Sequence, residues 1–132
     1  MSGQIQVIKK KTLSDKMHLM ADTLRNCTEK QCIGKFYDPR NDSVCAYGAL
    51  GFMAGIPKDD LKKQDFTKVL ASYGIDLDES GKLVILPNEA MNEHGYYPQR
   101  ESSLFQSIFQ LNDKGYSFKE IASYLDIWAD NI

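Results

Sequence analysis

Apolar residues recur at helical spacing along much of the chain. Met17, Met20, Ala21 and Leu24 form one stripe, with Thr12 or Ser14 placed to cap the helix. Phe66, Val69, Leu70 and Tyr73 form a second within a helix spanning about 58–74, and Gly74 follows as the natural residue to end it. Leu104, Phe105, Ile108 and Leu111 make a third, punctuated by Gly115. Phe118, Ile121, Ala122 and Leu125 make the last. There Ser117 and Glu120 have the spacing of a capping box.

The segment NDSVCAYGALGFMAGIP, residues 41 to 57, has a different pattern. It carries no charge from Ser43 to Pro57. A helix over about 43–54 is predicted, capped by Asp42 or Ser43 and ended by Gly55 and Pro57. At 100° per residue Gly48, Gly51 and Gly55 share one side, with Cys45 at its edge. An interior glycine costs about 0.5–1 kcal/mol relative to alanine. Close approach of another element to the glycine side would offset that loss. A helix apolar all round is a buried one, so this segment is expected to be the central helix.

The remaining segments are less regular. TEKQCIGKFYDPRND reads as a loop, held in place by Phe36 and Tyr37. In IDLDESGKLVILP two apolar runs flank ESGK, which suggests a small β-hairpin near 75–86. NEAMNEHGYYPQRESS is a long irregular connection, and such loops are often functional. Residues 1–11 form a flexible or strand-like arm. The expected fold is a single domain, 1–132, mainly α and at most α+β. Four to five helices surround the central glycine-rich helix.

Charge and composition narrow the function classes. The net charge of −2 argues against a general nucleic-acid binder. No apolar run approaches the roughly 20 residues that cross a bilayer, and the opening MSGQIQVIKKK lacks the apolar stretch of a signal peptide. Three cysteines are an odd number, which suits a reducing compartment. A cytoplasmic protein is expected.

Cys45 has two readings. At a helix N-terminus the dipole and free N–H groups can stabilise a thiolate. Equally, free cysteine is among the most buried residue types and packs as a small hydrophobe. A cysteine hydrolase would also need a base and an orienting group. Cys45, then His94, then Asn112 or Asp113 gives the chain order of papain-like enzymes. The context differs, because His94 lies in a loop with two helices after it. A zinc site would draw on Cys27, Cys32 and Cys45 with His18 or His94, but a second close pair is missing. No metal or cofactor is expected. GYSFKEIASYLDI resembles the first helix of a helix-turn-helix, yet only WADNI follows it, too short for a recognition helix. Lys9, Lys10 and Lys11 read as a solvated basic run.

Taken together, CAYGALG after GKFYDP and the later IFQLNDKGYSFKEIASYL resemble an uncharacterised bacterial family known only as a domain of unknown function. Its members show a C-A-x-G-A-L helix, then a hydrophobic helix ending in an N-D turn, then a short amphipathic helix. The resemblance rests on Cys45, Ala46, Gly48, Ala49 and Leu50, and on Asn112 and Asp113. Members often carry tryptophan where this chain has Phe109-Gln110-Leu111, and residues 58 to 100 match nothing in the family. The resemblance implies no activity. It does raise a structural question, because an aspartate at a helix C-terminus meets unfavourable dipole charge. Asp113 is expected either to accept N–H groups of another element, such as the start of the Cys45 helix, or to sit in an exposed turn with Asn112.

The expected function is non-catalytic binding of a protein or small-molecule partner, with neither nucleic acid nor membrane favoured. Tyr96 and Tyr97 beside His94, together with Trp128, are the candidate binding residues. The alternative is a cysteine-dependent hydrolase or transferase with Cys45 as nucleophile, His94 as base and Asp113 as the third group.

Overall fold

A computed structural model of the chain describes residues 11–87 and 100–132. Most of the predicted arm, residues 1–10, and the connection 88–99 with His94, Tyr96 and Tyr97 lie outside the described residues. In chain order the elements are α1 (Leu13–Arg25), β1 (Lys30–Gln31), β2 (Tyr37–Asp38), β3 (Ser43–Val44), α2 (Ala46–Met53) and α3 (Lys58–Leu61). There follow α4 (Phe66–Ala71), α5 (Leu77–Ser80), β4 (Leu83–Leu86), β5 (Arg100–Ser103), α6 (Leu104–Asp113) and α7 (Phe118–Asp130). The chain is mainly helical with two small sheets, as the hydrophobic pattern predicts. The helices outnumber the four to five expected because the 58–80 region makes several short ones.

The longest helices follow their local signals. Thr12 caps α1 and Ser117 caps α7, each in a complete capping box with Asp15 and Glu120 respectively. Met17, Met20, Ala21 and Leu24 on α1 are fully buried, as are Ile121, Ala122 and Leu125 on α7. The two helices run antiparallel. Near the start of α1, Ser14 Oγ donates to the Ala129 carbonyl late in α7 at 2.9 Å. One turn further on, His18 sits between Asp126 and Asp130.

α2 is buried from Ala46 to Gly51, so the central helix is where the uncharged segment places it. It begins later than predicted. Cys45 is the N-cap, and neither Asp42 nor Ser43 fills that role. Ser43 and Val44 are extended instead, because β3 is held on both sides: parallel to β1 and antiparallel to β2. β3 comes from the first two residues of the helix predicted over 43–54, and β1 and β2 from the segment expected to be loop. Phe36 there is buried and stacks on Tyr47 at 5.6 Å between ring centroids.

The glycine side of α2 does admit a close neighbour. A Cβ at Gly48 would lie 1.9 Å from the Phe36 carbonyl oxygen, which no side chain can tolerate. At Gly51 the nearest atoms belong to the side chains of Leu61 and Val69, at 2.8 and 3.1 Å. The glycines therefore accommodate a strand-loop backbone on one turn and the short helices α3 and α4 on the next.

Two expectations need correction. The single helix over about 58–74 is broken: Gln64 takes a left-handed φ of 53°, and Asp65 then caps α4 through Lys68 N. The hairpin near 75–86 does not form within that segment. Asp76 and Glu79 make a capping box that turns Leu77–Ser80 into α5. β4 pairs antiparallel with β5, which lies beyond the 88–99 connection.

Candidate functional site

Asn112 of α6 meets Cys45 and Ala46 at the N-terminus of α2. Asn112, near the end of α6, is 1% exposed. Its Oδ1 accepts the amide of Ala46 at 3.0 Å and the Gln31 side-chain amide at 2.8 Å. Its Nδ2 donates to the Cys32 carbonyl at 3.0 Å. Asn112 thus holds the head of α2, β1 and the segment between β1 and β2 together. Asp113 accepts the amide of Gly34 at 3.2 Å. The carboxylate does meet an N–H of another element, but not at the start of α2. Asn112 lies on the buried stripe with Ile108 and Leu111, whereas Asp113 falls to its rim. The neutral amide therefore takes the interior position.

Cys45 is 3% exposed. Its Sγ accepts the Gly48 amide at 3.5 Å, so the thiol acts as the helix cap. Burial pushes the thiol pKa up to about 12, outweighing the amides of Gly48 and Tyr47 that favour the thiolate. The helix terminus is present as the sequence suggests, but desolvation dominates over it. Gly34, Cys45, Gln64, Phe109 and Asp113 border a small cleft of about 140 Å³. The base proposed for Cys45, His94, is not among the described residues.

No three His, Cys, Asp or Glu side chains among the described residues are grouped to hold a metal ion. Cys27, Cys32 and Cys45 are free thiols. His18 is engaged elsewhere, with Nδ1 2.6 Å from Asp126 and Nε2 2.9 Å from Asp130. The four-residue zinc set is therefore not assembled around them.

A second, larger concavity is lined by other residues. It is a groove of about 640 Å³ between β4 and the end of α7. Leu83 (62% exposed), Ile85 (49%), Ile127 (52%) and Ile132 (45%) line it. Trp128 forms its floor. This residue, a binding candidate from the sequence, is 4% exposed. Its Nε1 donates to the Ile85 carbonyl at 2.8 Å, tying α7 to β4.

Strand geometry explains why Leu83 and Ile85 stand out. The amide of Leu104 donates to the Lys82 carbonyl at 2.8 Å, which makes these two a bonded antiparallel pair. Along the register, Val84 with Ser102 and Leu86 with Arg100 are then the bonded pairs. Leu83 and Ile85 turn their backbone groups away from β5, and the Trp128 indole meets one of them. The side chains of Val84 and Leu86 enter the core while those of Leu83 and Ile85 do not. In the sequence Leu83 and Ile85 belong to the apolar run of the expected hairpin, which does not show which of its residues face outward. The available signal was Ile127, which sits off the α7 stripe.

No protein-family model, no curated protein and no solved structure matches the chain. Among the described residues, no helix is long and apolar enough to cross a membrane.

Proposed function

We propose that this chain is a non-catalytic binding domain whose groove between β4 and α7 takes an extended apolar segment of a protein partner. The observation that carries this reading is the gathering of Leu83, Ile85, Ile127 and Ile132 along one groove, each about half exposed or more. Covering apolar surface is favourable by about 25 cal/mol per Å², so a patch of this kind is a source of binding energy. An extended occupant fits because one wall is a strand and the other is the last two turns of a helix. Alternate side chains of an extended segment would meet Leu83 and Ile85 on one side and Ile127 on the other. The buried, capping Cys45 supports the non-catalytic part of the reading, since a nucleophile needs an accessible thiolate.

Selection from a displayed random-peptide library tests it. The chain is expected to enrich peptides with alternating apolar residues, and Ile127→Asp is expected to abolish their binding while leaving the circular dichroism spectrum unchanged. Failure to enrich any apolar peptide, or equal binding to the Ile127→Asp protein, would overturn the reading.

A further inference from the structure

We propose that Cys32 and Cys45 are a site of oxidative modification, where a peroxide drives a reversible disulfide between the end of β1 and the head of α2.

The pairing of β1 with β3 brings the two residues together. Lys30 stands opposite Ser43 and Gln31 opposite Val44 in a parallel register, so the next rung sets Cys32 opposite Cys45. The Cys32 amide donates to the Val44 carbonyl at 2.9 Å, which anchors one side of that rung. On its other side the Cys32 carbonyl and the Ala46 amide are joined through the Asn112 side chain. Neighbouring strands lie about 4.8 Å apart, inside the Cα separation of about 4.4–6.8 Å that a disulfide spans. Side chains alternate along a strand, so Cys32 and Cys45 share the face opposite to that of Gln31 and Val44. The field of Cys32 also reaches Cys45, where it adds to the burial that raises the thiol pKa.

Ser43 belongs to the same face. Its hydroxyl is 1% exposed and has no hydrogen-bond partner among the described residues, yet it stands close enough to the Cys32 sulfur to favour the thiolate. A buried polar group without a partner calls for an explanation. An oxygen added to the Cys32 sulfur would supply the missing acceptor.

Exposure sets the order of events. Cys32 is partly exposed, whereas Cys45 is buried. The Cys32 sulfur attacks one peroxide oxygen, the O–O bond breaks, and a sulfenic acid and one water result. The Cys45 sulfur then attacks the Cys32 sulfur. The S–O bond breaks, and the hydroxyl leaves with the Cys45 proton as a second water. The two thiols lose two electrons, which the peroxide gains. The contacts given up are long ones: Cys45 Sγ to the Gly48 amide at 3.5 Å and Cys32 Sγ to the Lys35 carbonyl at 3.3 Å. Helix α2 exchanges a thiol cap for a covalent tie to β1.

The test treats the folded chain with hydrogen peroxide, in excess because burial holds the Cys32 thiol above its usual pKa. The protein is then unfolded in urea, alkylated with iodoacetamide and mapped by peptide mass spectrometry. The expected product joins the peptides of Cys32 and Cys45, is two hydrogens lighter than the reduced chain, and returns to free thiols with a dithiol reductant. Cys27→Ser is expected to give the same product. Cys32→Ser is expected to lose it and leave Cys45 open to alkylation after unfolding, and melting curves verify that both variants fold. Oxygen adducts on Cys32 with Cys45 still alkylated would overturn the proposal. So would a link that includes Cys27, a link between two chains, or no reaction at either thiol.

Discussion

The side chain of Asn112 closes the head of α2 by accepting the Ala46 amide at 3.0 Å. These two residues are far apart in sequence, and neither is charged. An α-helix leaves its first amides without internal partners. Here Cys45 Sγ takes the Gly48 amide and Asn112 takes that of Ala46. Asn112 at the end of α6 is thus a clamp on the central helix.

Asn112→Ala would strand the amide of Ala46 in a buried setting and the carbonyl of Cys32 in a partly buried one. Each such unsatisfied group costs about 1–3 kcal/mol, so urea unfolding should show a loss of about 2–4 kcal/mol. Asp113→Asn keeps an oxygen for Gly34 at a solvent-exposed position and should lie within about 0.5 kcal/mol of the wild type. If the two losses proved equal, the clamp would not belong to Asn112.

Gly48→Ala places a methyl group against the Phe36 carbonyl. The gain in helix propensity, up to about 1 kcal/mol, is smaller than the overpacking cost of about 1–3 kcal/mol. A net drop in melting temperature is expected. Gly51→Ala should be milder, because the tips of Leu61 and Val69 can shift whereas a backbone carbonyl cannot. A stabilised Gly48→Ala protein would contradict the close approach.

Cys45 should resist iodoacetamide at neutral pH until the protein unfolds. Cys27 and Cys32, which are partly exposed, should react first. Peptide mass spectrometry over a time course would give the order. Rapid alkylation of Cys45 in the native protein would revive the nucleophile reading.

His18 supplies a pH dependence. The hydrogen bond that its ring donates to Asp126 raises its pKa above the usual imidazole value against a partial loss of hydration, and Asp130 adds to the rise. Arg25 also bonds to Asp126, so the carboxylate keeps a cationic partner when His18 is neutral. A raised folded pKa means that the stabilisation is complete below the unfolded value of about 6.5. It is then lost as pH rises through the folded value. The advantage of the wild type over His18→Gln should therefore be present at pH 5.5 and shrink by pH 8.5. Because the ring is partly exposed, the difference should stay below about 1 kcal/mol. A wild-type advantage that grew with pH would reverse the assignment of charge to this contact.

Much of the fold could be read from short stretches of residues. The stripes of α1 and α7, the cap at Thr12, the capping box at Ser117 and the glycine spacing of α2 are local signals. Helical periodicity and capping act over about four residues, and an uncharged segment of low propensity must be buried to exist. The Asp76–Glu79 box is just as local a signal, and it makes Leu77–Ser80 a helical turn where the sequence reading expects a hairpin.

Only the tertiary structure decided which partners meet. That Gly48 faces the Phe36 carbonyl, that Asn112 rather than Asp113 reaches α2, and that β4 pairs across the 88–99 connection all depend on elements distant in sequence. The groove follows from the same cause. Leu83 and Ile85 are as apolar as Val84 and Leu86, and β-strand alternation separates the two pairs without saying which faces water. The bond from Trp128 to Ile85 and the pairing with β5 select the outward pair, because strand register is a property of two chain segments and cannot be read from either alone.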